Sequence, residues 1–191
     1  MHHELLNNHF LRNVDLTPGE LETITQSFRV EKVARGEYLL RKGEICSMEG
    51  YVVEGCFKVF IIDEKGDEKI LYFAASDWWV MEIDSFANQT PSDLYIQAIK
   101  DSTLLLISRN DKEQLYQKNP KVERLFRIMS QKAVAAWQRR LVHNHTMNAE
   151  ARYHHFITTY PEIAGMVTNK LIASYLGITQ EFLSVIRKRR S

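Results

Sequence analysis

The sequence predicts an α+β chain: an antiparallel β-barrel or sandwich flanked by helices, with a pair of short helices near the C-terminal end. Three observations carry this reading. Between about Val30 and Ser108, short runs rich in β-branched and aromatic residues are broken by Gly and Asp turns. From Val122 to Leu141, apolar residues recur in steps of three and four. Around Gly177 two short apolar patterns stand ahead of four consecutive basic residues, Arg187 to Arg190.

Composition sets the bounds. A chain of 191 residues is long enough to bury a substantial core, and its 45% apolar and 26% charged content is that of an ordinary globular protein. No apolar run reaches the roughly 18–20 residues that would span a membrane, and no secretory signal pattern opens the chain, so the expected address is the cytoplasm. The two cysteines, Cys46 and Cys56, are too few for a disulfide framework or a four-cysteine iron–sulfur site. They are expected to be reduced and buried.

The first segment reads as helical. Thr17 suits an N-cap, Pro18 the first turn and Glu20 the third position of a capping box, with Leu21, Ile24 and Phe28 following at helical spacing. The second segment reads as strands. "EYLLRKGE" ends in a Gly turn, "MEGYVVEGCFKVFIID" is rich in Val, Ile, Tyr and Phe with Gly55 in its middle, "EKGDEKILYFAA" is a turn and a strand, and "DLYIQAIKDSTLLLIS" is two strands joined at Lys100 and Asp101. Between them "SDWWVMEIDSFANQTPS" lacks alternation and reads as a short helix and loop.

The third segment reads as helical to its end. From Pro120 to about Thr146, Val122, Leu125, Phe126, Met129, Ala133, Ala136, Trp137 and Leu141 define one face over about seven turns. Such a stripe must be buried against the chain's own barrel or against a second copy. The second copy is the preferred reading, making this a homodimerisation helix. "NAEARYHHFITTYPEI" is a further helix stopped before Pro161.

Residues 169–188 have helix-turn-helix spacing. Ala173 and Gly177 lie four apart, Leu183 and Ile186 three apart, Gly177 suits a left-handed turn, and Thr179 suits the N-cap of the second helix. The outward residues of that helix are then Gln180, Glu181, Ser184, Val185, Arg187 and Lys188. Charge agrees with a polyanionic partner. From Arg152 onward, Arg152, Lys170, Arg187, Lys188, Arg189 and Arg190 stand against Glu162 and Glu181, a net +4, while the rest of the chain carries −3.

Over nearly its whole length the chain resembles the Crp/Fnr family of bacterial transcription regulators, in the short form found in Bacteroidetes-type genomes. The resemblance lies in "EYLLRKGE", "GYVVEGCFKVF", "SDWWVMEIDSF", "IQAIKDSTLLLI" and "NKLIASYLGITQEFLSVIRK", within which "IASYLGIT" is the most specific. It implies a cyclic-nucleotide-binding-like jelly roll over residues 1–118, a dimerisation helix over 119–146 and a helix-turn-helix domain over 147–191. It also implies a function in transcription regulation, with double-stranded DNA and RNA polymerase as partners. The expected DNA-contacting set is Asn169, Lys170, Thr179, Gln180, Glu181, Ser184, Arg187 and Lys188.

Departures from the family pattern sharpen this. Nucleotide-binding members hold the ribose with a Gly-Glu pair and the cyclic phosphate with an Arg-Ser/Thr-Ala run. Here Glu82 stands at the Glu position, Met81 replaces the Gly, and Ser92 stands where the Arg belongs. A bidentate Arg–phosphate contact is hard to replace. Met81, Glu82 and Ser92 are therefore expected to form a degenerate effector pocket, open to an unidentified small molecule but not to cyclic AMP. In the second helix, Val185 stands where many members carry an Arg that reads guanine, so the preferred DNA sequence should differ. The short stretch from Tyr160 to Asn169 leaves little room for a β-wing.

Two other features carry no site in this reading. His143 and His145 face two sides of a helix, and His154 and His155 are adjacent, so neither pair shares a face as metal ligands spaced four apart do. They read as surface or hinge histidines, and no metal or cofactor is expected. Of Trp78 and Trp79, one should pack inside and the other reach a domain or dimer interface. An enzyme of the cupin type would need His ligands on barrel strands. None occurs between Asn13 and Val142, so an enzyme is not expected. The competing class is a protein-interaction module of the same fold that has lost sequence-specific DNA binding.

Overall fold

The computed structural model describes residues 2–189, so Arg190 of the basic run lies outside the described residues. The chain opens with two helices, α1 (His2–Leu11) and α2 (Pro18–Thr25). The capping box is present as read: Thr17 accepts from the Glu20 N–H, and the Glu20 carboxylate accepts from the Thr17 N–H at 2.8 Å. Phe28 falls beyond the helix, at the entry to the first strand.

Eight strands follow: β1 (Arg29–Val33), β2 (Tyr38–Leu40), β3 (Met48–Glu54), β4 (Cys56–Ile62), β5 (Glu68–Ala75), β6 (Trp79–Val80), β7 (Tyr95–Ala98) and β8 (Ser102–Ser108). A short helix, α3 (Ile83–Asn88), is inserted before β7. They form two four-stranded antiparallel sheets, ordered β1-β8-β3-β6 and β2-β7-β4-β5. The run around Gly55 is two strands, β3 and β4, that belong to different sheets. Gly55 makes the switch at φ 103°, and a Cβ there would lie 2.1 Å from the Ser102 Oγ, so only glycine fits.

Alternation along the strands builds three cores. Leu104 and Leu106 point between the sheets, where they meet Val52, Phe57, Val59 and Ile96. Leu105 and Ile107 point the other way, onto Leu6, Phe10, Ile24 and the helices past the roll. Those are α4 (Arg109–Lys118) and α5 (Pro120–Thr146), and Val122, Leu125 and Phe126 of α5 are buried in this second core. A buried ion pair between Lys112 and Glu49 ties α4 to β3, and Lys112 also lies 4.2 Å from the Phe126 ring.

The third core joins the outer face of the second sheet to the C-terminal helices. Cys56, Phe60, Ile70, Phe73 and Ala75 pack with Tyr153, Phe156, Ile163, Ile172, Leu176, Leu183 and Ile186. The helices concerned are α6 (Ala149–Thr159), α7 (Pro161–Met166), α8 (Asn169–Leu176) and α9 (Gln180–Lys188). The stretch expected to be too short for a wing is occupied by α7. Both cysteines are free and buried. The tryptophans divide as expected: Trp79 packs within 6.2 Å of Phe10, Phe28, Tyr51 and Phe126, while Trp78 meets Tyr160 of the C-terminal region at 5.4 Å.

A polar network fastens α1 to the roll. Asp77, at φ 69° in the turn before β6, accepts from Tyr51 at 2.7 Å and from Arg12 at 2.6 Å, and pairs with the His9 Nδ1 at 2.7 Å. The Trp79 indole N–H can only donate, and it reaches His9 Nε2 at 3.2 Å. A neutral His9 with its proton on Nδ1 satisfies both contacts, donating to Asp77 and accepting from Trp79.

Candidate nucleic-acid interface

The C-terminal helices are shaped by local chemistry. Thr168 caps α8 by accepting from the Leu171 N–H. Gly177 ends α8 in the left-handed conformation at φ 67° and ψ 34°. The Ile178 N–H returns to the Ala173 carbonyl at 3.0 Å, and Thr179 caps α9 by accepting from the Phe182 N–H at 3.2 Å. Leu183 and Ile186 are buried against α8, so the opposite face of α9 is turned outward.

The structure places the expected set on or beside that face. Thr179, Gln180, Glu181, Ser184, Arg187 and Lys188 are exposed, as is Lys170 at the start of α8, while Asn169 is half-buried. Arg187 donates to the Asn169 side chain and so links the two helices. The Ser184 hydroxyl donates to the Gln180 carbonyl at 3.0 Å. The helix stops at Lys188, with Arg189 as its C-cap. Phe182 was not expected on this surface, yet it is exposed with Val185. Its position between Glu181 and Leu183, at the edge of the buried stripe, carries too little periodic signal to reveal it.

Docking of this unit onto the roll is polar as well as apolar. The Ser174 hydroxyl donates to the Glu68 carbonyl at 2.6 Å and accepts from the Ile70 N–H at 3.0 Å, joining α8 to β5. Two guanidinium groups meet the last carbonyls of α8: Arg140 from α5 at Tyr175 (3.2 Å) and Arg152 from α6 at Leu176 (3.1 Å). Cations there complement the negative end of the helix dipole. Burial lowers the pKa of Arg140, whose guanidinium also lies 4.1 Å from the Tyr175 ring.

Across the junction of α5 and α6 the imidazoles of His143 and His155 meet edge to face, 4.5 Å between centroids. Sequence spacing missed this pair because its members lie on different helices. Burial, then the neighbouring His143, lowers the His155 pKa. Among the described residues no group of three or more His, Cys, Asp or Glu side chains could hold a metal ion.

At the expected effector position the polar groups are engaged internally. The Glu82 carboxylate caps α3, accepting from the Asp84 and Ser85 N–H groups at 2.9 and 2.8 Å. Ser92 is 2% exposed, and its hydroxyl accepts from the Leu94 N–H at 2.9 Å. The Met81 carbonyl accepts from Tyr72 at 2.8 Å, and the Tyr72 ring meets Trp137 of α5 at 5.5 Å. Met81, Leu94 and Tyr72 pack against the core between the sheets. A separate cavity of about 600 Å³ opens between the β1 and β2 edges, lined by Leu40, Cys46, Ile96 and Leu106 below Arg29, Lys32 and Arg41.

Residues 30–119 match the family model of the cyclic nucleotide-binding domain. The whole arrangement matches solved regulators. The structure of FixK2 from Bradyrhizobium japonicum aligns with a TM-score of 0.74 at 18% identity, covering 85% of this chain and 83% of that one. The chain has the Crp/Fnr fold.

The same fold is seen in CLP, described as a c-di-GMP-responsive global regulator of Xanthomonas campestris. It aligns with a TM-score of 0.72 at 17% identity and 91% coverage of both chains. A Crp/Fnr-family regulator from Eubacterium rectale aligns at 0.70 and 18%, covering 92% of this chain and 83% of that one. No curated protein sequence matches the chain. No described helix is long and apolar enough to cross a membrane.

Proposed function

We propose that this protein is a dimeric, cytoplasmic DNA-binding transcription regulator of the Crp/Fnr type whose roll has lost the cyclic-nucleotide phosphate site. The observation that carries this is the α8–Gly177–Thr179–α9 unit, with its polar and basic face turned outward. In such a unit the first residues of the second helix meet base edges and basic residues track phosphates. Gln180 and Glu181 lie where base edges would be, Glu181 as an acceptor for cytosine and Gln180 as a two-bond partner for adenine. Lys170, Arg187 and Lys188 would face phosphate, with Asn169 positioning Arg187.

Dimerisation through α5 would bring two recognition helices to half-sites one turn apart, about 34 Å. Residues 1–118, 119–146 and 147–191 then act as roll, dimer helix and DNA-binding domain. RNA polymerase would be the partner of the assembled complex. Cyclic AMP is not the effector, because Ser92 supplies no cation for its phosphate and the Glu82 carboxylate is committed to α3. The pocket of Met81, Glu82 and Ser92 stays open to a different small molecule. Micromolar binding of cyclic AMP in a calorimeter would refute that part.

Titration of a selected operator over several salt concentrations tests the reading. Glu181→Ala should relax preference at one base pair by about 1–3 kcal/mol, while Lys188→Ala should weaken binding to all sequences and lower the salt slope by about one unit. If both variants behave alike, or neither changes binding, the exposed face of α9 serves a protein partner instead.

A further inference from the structure

The exposed side of α9 carries two apolar side chains that the fold does not use. Phe182 is 47% exposed and Val185 43%, while Leu183 and Ile186 on the inner side are 0% and 3% exposed. A spacing of three residues puts Phe182 and Val185 about 60° apart around the helix, on one flank of its outer surface. The cap bond from the Phe182 N–H to Thr179 sets the ring in the first turn, the part of a recognition helix that penetrates deepest. Water is a poor neighbour for a phenyl ring and an isopropyl group side by side, so an apolar contact is expected on this flank.

The surroundings say what kind of contact. Arg187, Lys188 and Arg189 give the same helix a basic end, and Gln180, Glu181 and Ser184 give it hydrogen-bonding groups. That combination suits a polyanion displaying donors and acceptors. The major groove of a DNA duplex is such a surface, and the one apolar group its base edges display is the 5-methyl of thymine. A face that is basic, polar and apolar on one helix matches a groove containing thymines.

We propose that Phe182 and Val185 are specificity-determining residues that contact thymine 5-methyl groups, so that the preferred half-site carries thymine at the steps facing them. This rests on the DNA-binding reading above and adds the sequence class that is read. Phe182 and Val185 act by excluding water from the methyl groups, not by hydrogen bonding. Guanine at the same steps gives them no apolar contact.

The test changes the DNA first. An operator is selected from random duplexes by the full chain and remade with deoxyuridine replacing each thymine in turn, which removes the methyl alone. At the thymines read, affinity should fall about three- to fivefold per methyl lost, the value of one buried methyl group. Phe182→Ala and Val185→Ala should each abolish the thymine-to-uracil ratio at one step, and Val185→Thr, which keeps one methyl, should retain it. The uridine substitution leaves the protein intact, so it decides the matter even where a variant fails to fold. Equal binding of every uridine duplex to a sequence-specific wild-type protein overturns the thymine reading and leaves DNA binding standing. A uracil effect that persists in both alanine variants also overturns it. Failure to select any sequence removes the DNA-binding reading, and this inference with it.

Discussion

The two halves of α5 carry one continuous apolar stripe but meet different surroundings. In the first half Val122, Leu125 and Phe126 are 0%, 0% and 3% exposed against the roll and the N-terminal helices. In the second half Trp137 and Leu141 of the stripe are 46% and 60% exposed, and Val134 and Val142, off the stripe, 54% and 56%. Periodicity marks a face that wants burial without saying what will cover it. The first half is covered by its own chain. The second half touches the roll through Trp137 at Tyr72 and Arg140 at the Ile70 carbonyl, and its remaining apolar surface is what the proposed second copy would cover.

That contrast can be broken from either end. The largest effect should come from Phe126→Ala, which opens a cavity beneath Trp79, Phe10 and Tyr116. It should cost about 3–5 kcal/mol in chemical denaturation compared with the wild type at the same protein concentration. Trp137→Asp should instead act on association. It should weaken the dimer by about 2 kcal/mol or more by sedimentation while leaving the monomer folded. A wild-type chain that sediments as a monomer at micromolar concentration, with and without DNA, would break the comparison, because the second half would then have no partner.

The smallest effect concerns the clasp over the first half. Burial, the largest cause, holds the His9 pKa below its ordinary 6.5, outweighing the upward pull of Asp77; Arg12 and Lys132 add to the lowering. As pH falls below 6.5 the unfolded chain takes up this proton before the folded one does. The stabilisation is therefore full above that value and declines as the pH drops. A proton on Nε2 would also end the bond from Trp79. The melting temperature should fall as the pH is lowered through the His9 transition, and His9→Gln should flatten part of that decline. An unchanged slope in His9→Gln would assign the effect to other groups, His155 first, whose pKa burial also lowers.

How much was legible follows from the range over which each feature is decided. Caps at Thr17 and Thr179, the left-handed Gly177 and the bounds of α5 are set by residues within a turn of one another, and each stands as the sequence indicated. Gly55 was visible as a glycine, but the sheet switch it makes depends on Ser102, far away in the chain. The Ser174 clasp on β5 joins residues more than 100 positions apart, and a lone serine in a helix announces no such partner. His143 and His155 were legible singly and not as a pair, because their meeting depends on the angle between two helices. Glu82 was read as a remnant of a nucleotide site, and only the structure shows its carboxylate spent on the N-terminus of α3.

By itself, then, the sequence determined the α+β class, the order of roll, long helix and helix-turn-helix, and the outward face of α9. Those follow from periodicity, capping and turn chemistry, which act between neighbours along the chain. Only the tertiary structure decided which half of α5 the roll covers, which groups fill the effector position, and that Phe182 stands exposed beside Val185. Those outcomes depend on which distant surfaces compete to bury the same apolar area, and that competition is settled when the sheets and helices pack.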